Sequence, residues 1–315
     1  MVTVGDDAQP CDAWPADALP GGGLSGDALS GDAQPGNSQP GDAQPSGAQP
    51  GDAQTGDAQP GARATLSLPP PAYLRWEIIA VFAVSLGASG LNALLSLIGS
   101  LLAKQSLTSQ HALLVGSLSP IRYFDLVLQV VGIAEALTPV LLVLYLMARS
   151  GEPPSVMGLD TSQPGRDVAR GAAVAAVIGG AGLGLYIAAF HLGISLNIVP
   201  ESLPNVWWRI PVLLLSAAHD GILEEILVIG YLLRRLDQLG WTPWKAIVAA
   251  AILRGSYHLY QGFGAFVGNA VMGIIFGILY RRWGRVTPLI IAHALIDAVT
   301  FVGYAALVGK VSWLP

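Results

Sequence analysis

Residues 207–236 read WWRIPVLLLSAAHDGILEEILVIGYLLRRL, a mainly apolar stretch that is interrupted by carboxylates. A helix needs about 20 mainly apolar residues to cross a bilayer, and this stretch is long enough. Asp220, Glu224 and Glu225 lie inside it, although an ionisable group in a membrane is costly unless it is paired or hydrated. The stretch therefore predicts a membrane helix that carries a functional site.

Other parts of the chain have the same apolar length. The predicted spans, seven in all, cover residues 76–103, 123–148, 168–192, 207–236, 244–260, 263–280 and 286–308. If the amino terminus is cytoplasmic, eleven Lys and Arg residues lie on the cytoplasmic side and four outside, as the positive-inside rule requires. We predict an all-α, polytopic transmembrane helical bundle of about seven spans in the cell membrane, with the carboxyl terminus outside.

Composition divides the chain into two unlike parts. Only 12% of the 315 residues are charged and 52% are hydrophobic, whereas a soluble domain carries about 25% charged residues, so an ordinary cytosolic enzyme is excluded. Residues 1–62 repeat pentapeptides such as Gly31-Asp32-Ala33-Gln34-Pro35. This sequence has too few large apolar residues to offset the entropy of folding. We predict a disordered low-complexity tail with a Pro linker over residues 1–71 and a membrane-embedded domain over residues 72–315.

Charge and cysteine content restrict the partners. The tail carries nine Asp and no Lys or Arg, so the net charge of −5 combines −9 in the tail with +4 in the remainder. That balance excludes a strongly basic nucleic-acid binder, and the chain contains no nucleotide motif. Cys11 is the one cysteine, which excludes an internal disulfide and a thiolate zinc site. The predicted partners are the lipid bilayer and a membrane-associated peptide or protein substrate.

Polar residues with helical spacing concentrate in the last four predicted spans. Three helices each carry one pair of polar residues four apart, namely Asp220 and Glu224, Arg254 and His258, and His293 and Asp297. Residues four apart share a helix face, so the members of each pair point one way. Glu225 follows Glu224 and points about 100° away from it. Two carboxylates and two histidines have the composition of a water-activating site, with Glu as base and His as proton donor, oxyanion stabiliser or metal ligand.

Two features outside these pairs bear on packing. Glu135, near the middle of the second predicted span, either pairs with Arg122 or faces a cavity. Gly273 and Gly277 are four residues apart, a spacing that lets two membrane helices approach closely. We expect the glycine pair to bring the histidines near the carboxylates.

The three polar segments resemble the motifs of the CPBP family of intramembrane proteases, also called the type II CAAX prenyl protease or ABI family. The family motifs are Glu-Glu-x-x-x-Arg, Phe-x-x-x-His and His-x-x-x-Asn/Asp, and residues 224–229, 254–258 and 293–297 match them in that order. The resemblance covers about residues 204–308. It implies an intramembrane metalloendopeptidase that hydrolyses a peptide bond of a membrane-associated substrate.

The resemblance also implies a role for each residue. Glu224 would activate a water molecule, while Glu225 would hold the geometry and the local charge. His258 and His293 would polarise the carbonyl group or stabilise the oxyanion, and Asp297 would orient His293 or supplement it. Two alternatives stay open for the cofactor: a zinc ion on His258, His293 and Glu224, which are chemically suitable ligands, or no metal ion.

Two departures from the family pattern affect the charge of the site. Ile229 stands where the first motif has Arg, and Arg254 stands where the second has Phe. Because a lone buried Arg is costly, we expect Arg254 to reach across from its own helix and restore the ion pair of Glu225. The alternative is that the departures mark an altered or inactive branch.

Three functions remain at this stage. The first is the intramembrane endopeptidase. The second is a non-catalytic membrane protein of the same type, acting as an immunity or assembly factor, and the third is a proton- or cation-coupled transporter. The absence of an inverted repeat between the two halves of the sequence counts against the transporter.

Overall fold

The computed structural model describes residues 70–310. The predicted tail, with its repeat and Cys11, lies almost entirely outside them. The described residues form a helical bundle, which confirms the all-α class. The helices are α1 (Pro71–Ala83), α2 (Leu86–Leu102), α3 (Arg122–Ala136), α4 (Thr138–Arg149), α5 (Pro164–His191), α6 (Arg209–Glu224), α7 (Leu233–Gln238), α8 (Pro243–Ser256), α9 (Phe263–Trp283) and α10 (Thr287–Leu307). Two strands are present, β1 (His111–Val115) and β2 (Asn197–Glu201), and a π-helical segment, Glu225–Leu232, joins α6 to α7.

Five of the predicted spans correspond to stretches that are long and apolar enough to cross a membrane. These are α3 with α4 (Arg122–Arg149), α5, α9 and α10, together with α1 and α2, which form one stretch bent by 50°. The prediction of seven spans is not confirmed. Helix α6 has 16 residues and carries two carboxylates, Asp220 and Glu224. Helix α8 has 14 residues, about 21 Å, against a hydrocarbon core of about 30 Å.

The outer surface of the bundle is apolar. Large side chains such as Leu102, Val177 and Val299 are 80%, 73% and 72% exposed, and they lie on helices that are long enough to span a membrane or belong to the bent pair. Exposed apolar surface on this scale marks a lipid or protein interface. The π segment is different because all eight of its residues are buried, which places it in the centre of the bundle.

One end of the bundle contains a small parallel sheet that the sequence analysis did not predict. His111 pairs with Asn197 and Val115 with Glu201, so β1 and β2 join the connection after α2 to the connection after α5. The backbone N–H of Leu196 donates to the carbonyl oxygen of Gln261 at 3.1 Å, which brings the turn before α9 to the same end.

The opposite end is held by buried ion pairs. Arg235 of α7 donates from Nε to Oε1 of Glu77 and from Nη1 to Oε2 of Glu152, both at 2.7 Å. Arg285, in the connection after α9, donates from Nη2 to Oδ2 of Asp167 at 2.7 Å. These bonds gather the ends of α1, α4, α5, α7 and α9, where many of the basic residues counted as cytoplasmic are found.

Glu152 lies in the connection after α4, and its carboxylate is 7% exposed. Burial by itself would raise the pKa of Glu152, but hydrogen bonds from Gln238 and Arg234 and the charges of Arg234 and Arg235 lower it below its usual value. The carboxylate is therefore ionised at neutral pH, and it depends on these cations for compensation.

Replacing Arg235 by Met should lower the free energy of unfolding by about 3–5 kcal/mol, because Glu77 and Glu152 lose a fully buried partner. Arg234→Met is the matched control, since the Arg234 side chain is 41% exposed and its ion pair is worth less than about 1 kcal/mol. Unfolding in detergent micelles, followed by circular dichroism, measures both. Equal losses in the two variants would contradict the assignment.

Candidate active site

The predicted site residues come together at the centre of the bundle, where α6, α8 and α10 meet. Glu224 ends α6 and Glu225 begins the π segment. Helix α10 can approach α6 because Gly221 faces it: a Cβ atom at Gly221 would lie 2.9 Å from the carbonyl oxygen of Ile290 and 3.0 Å from the nitrogen of Ala294. The glycine therefore sets the distance between the carboxylates and α10.

Arg254 reaches Glu225, as the sequence analysis predicted from the two departures. Nη1 of Arg254 donates to Oε1 of Glu225 at 2.7 Å, and both side chains are fully buried. Nη2 lies 3.2 Å from Oε2 of Glu224, and the guanidinium stacks on the ring of Phe276 at 5.3 Å from its centroid. Ile229, which occupies the family's Arg position, is buried among apolar residues. The cation of the site thus comes from α8.

His293 is held on both sides of its ring. Nδ1 lies 2.9 Å from Oε1 of Glu225 and 3.1 Å from Nη2 of Arg254, and Nε2 lies 3.3 Å from Oδ2 of Asp297. In the neutral tautomer with the proton on Nε2, the ring donates to Asp297 and accepts from Arg254; a protonated ring also donates to Glu225. Asp297 is therefore placed to orient His293, one of the two roles predicted for it.

Glu224 is held by a residue that the sequence analysis missed. The hydroxyl of Tyr257 donates to Oε2 of Glu224 at 2.7 Å, and Tyr257 is buried. The one sequence signal was its position inside the second motif, directly before His258. With Oε2 fixed by Tyr257 and Arg254, Oε1 is directed towards Nε2 of His258 at 3.7 Å.

His258 lies in the turn after α8 and is oriented by Gln261. The side-chain amide nitrogen of Gln261 lies 3.4 Å from Nδ1 of His258. An amide NH₂ group can only donate, so Nδ1 is the acceptor and the proton of a neutral ring sits on Nε2. Within residues 70–310, the buried Nε2 atom has no hydrogen-bond partner. The ring therefore presents an N–H group towards Glu224.

The residues predicted as zinc ligands lie around Arg254. Across residues 70–310, no three His, Cys, Asp or Glu side chains are grouped so that they could hold a metal ion. The physical reason is Arg254, whose Nη2 lies 3.2 Å from Glu224 and 3.1 Å from His293, because a second cation beside it would be repelled. A zinc ion on Glu224, His258 and His293 stays a sequence prediction.

Gly273 and Gly277 permit close packing of α9 against α8, beside Arg254; that the pair brings the histidines near the carboxylates stays a prediction. A Cβ atom at Gly273 would lie 3.0 Å from Cα of Ala251 and 3.2 Å from Cδ of Arg254, and one at Gly277 would lie 2.9 Å from Ile247. Both glycines therefore permit a contact that a larger residue would prevent.

Comparison with known proteins agrees with this site. Residues 205–299 match the family model described as type II CAAX prenyl endopeptidase Rce1-like, so the resemblance stated from the motifs is confirmed over that segment. The matched segment includes all the predicted site residues. Neither a search of curated proteins nor a search of solved structures found a match. Together with the apolar helices, the match identifies an integral membrane protein.

A double-mutant cycle tests the Glu225–Arg254 pair. Arg254→Ala should lower the free energy of unfolding by about 3–5 kcal/mol, because it leaves the buried carboxylates without their cation. Glu225→Gln should cost less, since Arg254 keeps Glu224 as a partner. The double mutant should lose less than the sum, with a coupling energy of about 0.5–3 kcal/mol. Folded yield and unfolding in micelles measure all four proteins. Strictly additive losses would contradict the pair.

Gly273→Ala tests the helix contact. The added methyl group should push α9 away from α8 and lower the free energy of unfolding by about 1–3 kcal/mol. Gly303→Ala is the control, because no atom lies within 4 Å of its Cβ position and Ala favours a helix by up to about 1 kcal/mol. Thermal unfolding compares the two. A loss of the same size in both variants would contradict the packing role.

Proposed function

We propose that this protein, whose residues 205–299 match the type II CAAX prenyl endopeptidase family, is an intramembrane endopeptidase. It hydrolyses a peptide bond of a membrane-associated protein or peptide, and Glu224 activates the water. The observation that carries the proposal is the fixed carboxylate of Glu224. Tyr257 and Arg254 hold one oxygen, and the other faces His258 at 3.7 Å inside the bundle.

The reaction follows from these groups. Glu224 takes a proton from water as general base, and the hydroxide oxygen forms a bond to the carbonyl carbon of the substrate. The N–H group at Nε2 of His258 donates to the resulting oxyanion, whose negative charge it stabilises. The carbon–nitrogen bond then breaks, and Glu224 passes its proton to the leaving amine. Atoms and charges balance without a step through a metal ion.

The remaining residues act by position and charge. Arg254 compensates the two adjacent carboxylates, which would otherwise repel each other in a medium of low dielectric constant. Glu225 fixes Arg254 and the ring of His293, and Asp297 holds the proton on the other ring nitrogen. Nδ1 of His293 is engaged by Arg254 in the neutral ring or by Glu225 in the protonated ring, and Nε2 is engaged by Asp297. His293 is therefore assigned a positioning role and His258 the oxyanion.

The proposal includes an orientation in the cell membrane, with the amino terminus cytoplasmic and the carboxyl terminus outside. Its support is the end of the bundle that holds Arg235, Arg281 and Arg285. Helix α1 begins at this basic end, since Glu77 pairs with Arg235. Helix α10 begins directly after Arg285 and extends away from that end. Basic residues accumulate on the cytoplasmic side of membrane proteins.

A second candidate function is supported by Arg254 itself. Its guanidinium forms ion pairs with both carboxylates in the interior of the bundle, and carboxylates paired in this way would also suit a non-catalytic membrane protein that binds peptides. The two candidates differ in one outcome, because a binding protein cleaves no peptide.

Glu224→Gln should reduce peptide cleavage by about 10²–10⁴-fold, the usual contribution of a general base. The amide retains an oxygen that can accept from Tyr257, so the fold should persist. Asp237→Asn is the matched control: it removes a carboxylate from a partly exposed ion pair with Arg281 and should leave cleavage unchanged.

The assay uses protein in vesicles with a library of membrane peptides, analysed by mass spectrometry. Equal cleavage by wild type and folded Glu224→Gln would contradict the proposed role, and no cleavage by wild type would favour the binding protein.

A further inference from the structure

A cavity of about 310 Å³ lies between the bent pair α1–α2 and the continuous stretch α3–α4, on a side of α6 that the proposed mechanism does not use. Its volume is at the lower end of the range for ligand sites, about 300–1,000 Å³. Polar side chains line it among apolar ones, namely Ser85, Ser89, Asn92, Glu135 and Thr138. The hydroxyl groups of Ser85, Ser89 and Thr138 donate to nearby backbone carbonyl oxygens. Polar groups in a membrane bundle are costly unless they have partners, so the amide of Asn92 and the carboxylate of Glu135 are the groups that favour a polar ligand.

Glu135 is the exceptional group of this cavity. Across residues 70–310, every other Asp or Glu side chain has a hydrogen bond or an ion pair, and Glu135 has neither. It lies at the middle of the 28-residue stretch Arg122–Arg149, so Arg122 is about 20 Å away along the helix and does not reach it. The structure thus excludes the pair with Arg122 and places Glu135 on the exposed edge of the cavity.

Each wall of the cavity contains an interruption in its helix. Helix α1 ends at Ala83 and α2 begins at Leu86, while α3 ends at Ala136 and α4 begins at Thr138. Side chains at the breaks satisfy nearby backbone carbonyl oxygens, since Ser85 donates to Val81 and Thr138 to Glu135, both at 2.6 Å. Irregular backbone at membrane depth occurs where it lines a cavity or is buried in protein, so the two breaks fit a built site.

The cavity adjoins the candidate active site in two ways. Leu223 lines it, and the next residue is Glu224. Helix α2, which forms one wall, packs closely on the second motif: a Cβ atom at Gly90 would lie 2.8 Å from Oγ of Ser256 and 3.8 Å from the backbone nitrogen of Tyr257. Helix α6 therefore lies between a ligand in the cavity and the carboxylate of Glu224.

We propose that this cavity binds a basic side chain, Lys or Arg, of a membrane-embedded peptide, with Glu135 as its counter-ion. The inference deepens the proposed function, on which it rests, because it names a specificity site for the peptide substrate. Charge complementarity selects the ligand: a carboxylate without a partner at the middle of an apolar stretch attracts a cation, and charge-assisted hydrogen bonds are the strong ones. The hydroxyl and amide groups of Ser89 and Asn92 can accept the remaining N–H groups of a guanidinium.

The test is a binding experiment with two synthetic peptides of about 20 apolar residues, one with a central Arg and one with Gln at that position. The protein carries Glu224→Gln, which blocks cleavage, and is reconstituted in phosphatidylcholine vesicles. Energy transfer from labelled peptide gives the affinity. We expect the Arg peptide to bind about tenfold more tightly than the Gln peptide, which corresponds to about 1.4 kcal/mol.

Adding Glu135→Gln should abolish this preference, whereas the control Asp237→Asn, which also removes one negative charge, should retain it. Glu135→Arg should reverse it, so that a peptide with a central Glu binds better than the Arg peptide. Equal binding of the Arg and Gln peptides, or a preference that survives Glu135→Gln, would overturn the proposal. Cleavage by protein with Glu224 intact is scored separately. If the Arg peptide is preferred but no peptide is cleaved, the assignment of the cavity holds and the proposed protease activity is contradicted. If peptides are cleaved but the Arg peptide is not preferred, the protease activity holds and the assignment of the cavity is contradicted.

Discussion

The ion pair between Arg254 and Glu225 is the contact on which the arrangement of the site depends. Both side chains are fully buried, and either one alone would be an uncompensated charge in the interior of the bundle. The same guanidinium also lies beside Glu224 and His293. Arg254, from α8, therefore fixes residues of α6, the π segment and α10. The same ion pair stabilises the interior of the fold and arranges the groups of the candidate site.

Close packing is the condition for this arrangement. The guanidinium can reach its partners because Gly273 admits α9 next to α8 and Gly221 admits α10 next to α6. Two glycines, which carry no side chain and no charge, thus determine the positions of the charged groups. The π segment is also closely packed, since its eight residues are all buried. Such π-helical turns are frequent at functional sites.

Long apolar stretches were sufficient to predict the bundle class and the positions of α5, α9 and α10, because a membrane imposes length and hydrophobicity directly on the sequence. The Arg254 contact was also predictable. Ile229 replaces the Arg of the family's first motif and Arg254 replaces the Phe of its second, so the number of positive charges in the site is unchanged. Other features depend on tertiary context. The strands β1 and β2 are five residues each and lack a clear alternation of polar and apolar residues, and the contact of Tyr257 with Glu224 requires the geometry of the turn. The count of seven spans was not confirmed because the helices α6 and α8 are only 16 and 14 residues long, and hydropathy does not show where a helix ends.

The ion pair of Glu77 with Arg235 also constrains how the chain is made. The two residues are 158 positions apart, and a ribosome adds about 5–20 residues per second. The first helix is therefore synthesised roughly 8–30 s before its cationic partner exists. During that interval, the carboxylate of Glu77 has to remain at the membrane surface, in contact with water or with the insertion machinery. Assembly of this protein therefore requires α7 to form an ion pair with α1 long after α1 has been made, and α8, α9 and α10 still follow α7 in the chain.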